Sequence, residues 1–104
     1  MYKRQALEVV DRLLAAGAAV QAHDPTVVVH RSPIPATVEL ATDPVAACVG
    51  ADALVVLTEW PEYAAVDPAA AVAGLVGQAV VDTRNLLDPG PWRALGCGFE
   101  GVGR

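Results

Sequence analysis

The stretch Gln78-Ala79-Val80-Val81-Asp82-Thr83-Arg84-Asn85 decides how this chain is read. Its first half has the β-branched, apolar content of a buried strand. Its second half turns polar at once, and Leu86-Leu87-Asp88-Pro89-Gly90 then reads as a loop leading into a helix. A strand that ends in charged residues and feeds a helix is the repeating unit of an open α/β sheet. Such sheets hold their ligands beyond the carboxyl ends of the strands. Arg84 stands at that end, with a planar fork of donors suited to phosphate or carboxylate. The stretch Leu57-Thr58-Glu59-Trp60-Pro61-Glu62 closes the preceding apolar run in the same way. Two such ends side by side form the edge of a site. Neither supplies a complete reaction centre.

Working outward, the same alternation continues. Leu54-Val55-Val56-Leu57 has no polar alternation and is expected to be a strand covered on both faces. Between it and Val81, Pro61 opens a helical turn and Asp67-Pro68 a second helix running towards Gly77. On the amino-terminal side, Leu7, Val10 and Leu14 recur at helical spacing from about Arg4 to Ala16, and Gly17 is a left-handed stop. Ala18 to His23 is a short strand ended by Asp24-Pro25. Thr26 to Pro35 is undecided between strand, helical turn and loop. Thr37 to Ala41 alternates as an edge strand does. Thr42-Asp43-Pro44 starts a short helix that Gly50 ends. A helix around Pro91 to Leu95 and a glycine-rich last strand, Gly96 to Gly103, finish the chain. The order predicts one α/β domain over residues 1–104, a three-layer, mostly parallel sheet of Rossmann-like type with helices on both faces.

Composition narrows the function. With 104 residues, 54% apolar but only 5% aromatic, the chain suits tightly packed α/β layers. A formal net charge of −5 argues against nucleic acid and against an anionic membrane as partner. No apolar run is long enough to span a bilayer. Cys48 and Cys97 have no metal-ligand spacing and read as buried thiols of a reducing cytoplasm.

The series Gly17 to Pro25, Ala51 to Trp60, Val81-Asp82-Thr83-Arg84-Asn85 and Gly101-Val102-Gly103-Arg104 resembles the carboxyl-terminal, UDP-sugar-binding domain of the UDP-glucose/GDP-mannose dehydrogenase family. The resemblance covers nearly the whole chain in order, and its Thr-Glu-Trp and Asp-x-Arg-Asn elements are specific. It implies a part of an NAD-dependent oxidoreductase of polysaccharide biosynthesis, which oxidises the 6-hydroxyl of a nucleotide sugar. It implies Arg84 as the phosphate-binding residue, with weaker expectations for Asn85, Thr58 and Glu59 as substrate contacts. NAD belongs to the full-length family. No cofactor site, catalytic residue or metal site is expected in this chain, because neither cysteine matches the family's catalytic one. The chain is read as lacking a Gly-x-Gly-x-x-Gly loop that would cradle a pyrophosphate. The expected partners are a UDP-sugar and either a second copy of the chain or the remaining dehydrogenase domains.

Other readings stand beside these. Arg84 can instead pair with Asp82 or Asp88 and merely fix its loop. The whole domain can be an interaction or assembly module with an empty ligand site. Asp24 reads as a turn former. Glu59 and Glu62 flank a helix-entry turn, with Glu62 on the positive end of the next helix. His23 and His30 lack partners at metal or triad spacing, and Trp60 and Trp92 read as packing anchors. Finally, the resemblance implies that the domain's leading strand, central in the sheet, precedes the first helix and is absent. The flanking strands, Ala18 to His23 and Leu54 to Leu57, are then expected to close and pair directly, with self-association through the first helix.

Overall fold

The computed structural model of the chain describes residues 2–24 and 37–101. The undecided segment from Thr26 to Pro35, with His30, lies outside them. Helix α1 spans Tyr2–Ala15 and stops at Gly17, whose φ of 93° is the left-handed conformation read from the sequence. Strand β1 (Gln21–Ala22) pairs in parallel with β2 (Glu39–Leu40). Helix α2 (Pro44–Cys48) follows an Asp43 cap whose carboxylate accepts from the Ala46 N–H. Then come β3 (Ala53–Val56), α3 (Pro61–Ala64), α4 (Pro68–Gly74), β4 (Ala79–Asp82), α5 (Pro89–Ala94) and β5 (Gly98–Gly101). Asp67 and Asp88 cap α4 and α5 as Asp43 caps α2, each followed by proline at the first helical position.

The strands β3, β4 and β5 form one parallel sheet in that order, joined by helical crossovers. Register partners in a parallel pair share a face. Val56 lies beside Asp82 and Val80 beside Phe99, and all four are buried. This face carries the core, packed with Cys48, Ala71, Leu87, Trp92 and Cys97. Trp92 is thus the packing anchor expected of it, and both cysteines are buried and free. Close approach is strictest at Gly77, where any Cβ would overlap the carbonyl oxygen of Asp52.

Two expectations about the strands fail. The run from Leu54 is not covered on both faces: Ala53 is exposed and Val55 is 36% exposed. The second failure concerns closure. β1 and β3 do not pair, and among the described residues the strands divide into a two-stranded and a three-stranded sheet.

Side-chain bonds nonetheless link β1 to the elements before and after β3. The Gln21 amide donates to the carbonyls of Ala47 (3.2 Å) and Val49 (2.9 Å), four residues before β3 begins. At the other end, the Tyr63 hydroxyl of α3 donates to the carbonyl of His23, just past β1. These bonds tie β1 to α2 and α3 without a ladder to β3. Closure is expected only if unpaired backbone groups are kept from water. Ala53 and Val55 of β3 are exposed, which weakens the drive to close over this strand.

Candidate functional site

The site begins with a buried carboxylate. Asp82, the last residue of β4, is 0% exposed. Its Oδ1 accepts from the Arg84 backbone N–H at 3.0 Å and its Oδ2 from the Leu87 N–H at 2.7 Å. A carboxylate that takes two backbone donors satisfies itself and shapes the turn from Thr83 to Leu87. Within that turn Asn85 adopts φ 54°, a left-handed conformation that asparagine tolerates better than most residues. Thr83 ties the turn to the neighbouring strand. Its N–H (3.1 Å) and its hydroxyl (2.6 Å) both donate to the Val56 carbonyl of β3.

The turn places Arg84 across from the end of β3. Its Nε (3.1 Å) and Nη2 (2.6 Å) both donate to Oε1 of Glu59. The side chains are 28% and 58% exposed, so water and salt weaken this ion pair considerably. The sequence offered Asp82 or Asp88 as the partner of Arg84, and the structure corrects this. Asp82 is occupied by backbone donors and Asp88 by the Gly90 N–H of its own helix. No local spacing signalled Glu59, which lies 25 positions from Arg84.

Between α1 and the strand ends lies a cleft of about 190 Å³, lined by Ala6, Val9, Leu57, Thr83 and Arg84. Most ligand pockets for whole small molecules hold about 300–1,000 Å³. This one admits a phosphate group or part of a nucleotide.

The other expected site residues lie apart from the cleft. Thr58 hydrogen-bonds the Tyr63 side chain, and Tyr63 packs edge-on to the His23 ring with centroids 5.6 Å apart. His23 therefore has a definite partner that sequence spacing did not reveal. The Tyr63 hydroxyl gives its only proton to the His23 carbonyl, so the 3.1 Å contact with Nδ1 requires that nitrogen to carry the hydrogen. Burial, then the nearby negative charge of Asp24, pushes the Tyr63 phenol up to about 12, against an opposing hydrogen bond from Thr58. Trp60 is half-buried, with an indole N–H that has no hydrogen-bond partner among the described residues. Burial, then the charge of Asp43, raises the pKa of the Cys48 thiol, which is the opposite of what an active nucleophile requires.

Among the described residues no group of three or more histidines, cysteines or acids is placed to hold a metal. No helix among them is long and apolar enough to cross a membrane. The spacing Gly-x-Gly-x-x-Gly does occur, at Gly96-Cys97-Gly98-Phe99-Glu100-Gly101. Its last four residues form strand β5, whereas a dinucleotide cradle needs those glycines in a turn that opens a helix.

Comparison with known proteins identifies the family. A model of the UDP-glucose/GDP-mannose dehydrogenase family, UDP binding domain, matches residues 3–89. UDP-glucose 6-dehydrogenase of Pseudomonas aeruginosa is 36% identical over 104 residues, which takes in 94% of this chain and 23% of that protein. UDP-glucose 6-dehydrogenase TuaD of Bacillus subtilis is 33% identical over 100 residues, 95% of this chain and 22% of that protein. A third UDP-glucose 6-dehydrogenase, of Rhizobium meliloti, is 32% identical over 99 residues, again 95% of this chain and 23% of that protein. The chain thus spans less than a quarter of the length of the curated relatives it matches.

Proposed function

The chain belongs to the UDP-glucose/GDP-mannose dehydrogenase family, through its UDP binding domain, and we propose that it binds the diphosphate of a UDP-sugar at the cleft beside Arg84. One observation carries the reading. Arg84 lines a cleft at the carboxyl ends of two parallel strands, with one edge of its guanidinium engaged among the described residues. The remaining N–H pair is suited to two phosphate oxygens. Thr83 lines the same cleft, Asn85 follows Arg84 in the chain, and Glu59 reaches Arg84 from beyond the end of β3, while Thr58 remains the weakest of the proposed contacts.

The chain is a binding part rather than a reaction centre. Oxidation of the sugar 6-hydroxyl by NAD is assigned to other regions of a larger dehydrogenase. Its partners are those regions or a second copy of the chain, in a cytoplasm that keeps Cys48 and Cys97 reduced. The rival reading, an assembly module with an empty ligand site, draws support from the Glu59 pairing and from the exposed sheet face at Ala53 and Val55.

Titration with UDP-glucose followed by backbone amide NMR separates the two readings. Ligand binding shifts the resonances of Leu57 to Trp60 and Asp82 to Asn85. Shifts confined to other regions contradict it. The cleft holds only part of the ligand, and one or two charge-assisted bonds contribute on the order of 1.5–3 kcal/mol each. The expected affinity is therefore about millimolar.

A further inference from the structure

We propose that Glu59 is a positioning residue of this phosphate site, holding the side edge of the Arg84 guanidinium so that its end edge is left for a diphosphate. The inference rests on the proposed role of Arg84 and concerns what fixes that residue in place. A guanidinium offers two forks of parallel N–H bonds here. The side fork is Nε with one Nη2 hydrogen, and the end fork is Nη1 with the other Nη2 hydrogen. Glu59 takes the side fork on a single oxygen. The end fork has no hydrogen-bond partner among the described residues.

Two further observations place Glu59 behind Arg84 rather than against the ligand. Arg84, Thr83 and Leu57 line the cleft, and Glu59 does not. A carboxylate is also a poor neighbour for phosphate oxygens, since both only accept hydrogen bonds at neutral pH. Arg84 is thereby held at two points from two adjacent strands. Asp82 at the end of β4 fixes its backbone N–H, and Glu59 beyond the end of β3 fixes its guanidinium. A long side chain held in this way loses less freedom when a ligand arrives.

The test uses the 104-residue chain with two probes, UDP and inorganic pyrophosphate, and follows the arginine side-chain NMR signals together with affinity. On saturation of the unmodified chain, the Arg84 Nε–H signal is expected to stay in place while its Nη signals shift. Glu59→Ala is expected to weaken UDP binding about three- to tenfold, the loss of one pre-ordered long side chain. Glu59→Gln keeps an acceptor oxygen and is expected to bind within about twofold of the unmodified chain. A Glu59→Ala variant that binds as tightly as the unmodified chain, or more tightly, overturns the inference. So does an Nε–H signal that loses its bonded position when UDP binds, since Glu59 is then a competitor that the ligand displaces. If Arg84→Ala binds both probes unchanged, or the unmodified chain binds neither, the proposed function fails and this inference with it.

Discussion

The hydroxyl of Tyr63 donates a 2.7 Å hydrogen bond to the backbone carbonyl of His23, joining the end of β1 to the helix that follows β3. This bond does for the two sheets what a backbone ladder does within each. Tyr63→Phe removes it and leaves a part-buried carbonyl and the His23 Nδ1 without that partner. The expected loss is about 1 kcal/mol in urea unfolding, and unchanged stability counts against a structural role for the contact.

The same tyrosine gives the molecule an alkaline limit. A phenol raised to about 12 by burial, against about 10 in an unfolded chain, favours the neutral form when folded. Its contribution to stability is complete below pH 10. Between pH 10 and 12 the unfolded chain releases the proton and the folded chain keeps it, so stability falls as pH rises. Tyrosinate absorbance during an alkaline titration shows the late transition, and Tyr63→Phe removes it. A phenol titrating wholly near pH 10 contradicts the packing described for it.

Asp82→Ala is expected to be among the most damaging single changes near the site. It strips the partner from the N–H of Arg84 and from the buried N–H of Leu87. The expected cost is about 2–4 kcal/mol, since a buried donor left unsatisfied costs about 1–3 kcal/mol. Calorimetric unfolding measures it. A loss below about 1 kcal/mol means that the turn is shaped by something else.

Self-association is expected through apolar surface left in water, at Leu13 of α1 and Val55 of β3. Light scattering across a concentration series is expected to show mass rising above that of one chain. A strict monomer at high micromolar concentration contradicts this.

What the sequence made legible was local. Each Asp-Pro pair at a helix start states its own geometry, because the carboxylate reaches the next free N–H and proline fits the first turn. Strands of β-branched residues between such helices leave little choice but a parallel sheet. What stayed hidden was long-range. Glu59 and Arg84 meet only because β3 and β4 end side by side, and Asp82 looked like an ion-pair partner until its burial showed that it holds backbone instead. The division into two sheets was hidden for the same kind of reason. The bonds that set it, from Gln21 and Tyr63, join residues 26 to 40 positions apart. The expectation of closure had assumed a gap sealed from water.

Arg84 carries the central claim. The direct measurement is the affinity of UDP for the unmodified chain and for Arg84→Ala, at one fixed low ionic strength and followed by amide NMR. Removing the cation that lines the cleft among the described residues is expected to weaken binding at least about tenfold, the equivalent of one charge-assisted bond. The unmodified chain should bind at about millimolar concentration, with its shifts at Leu57 to Trp60 and Asp82 to Asn85. Equal affinity in the two proteins contradicts the account.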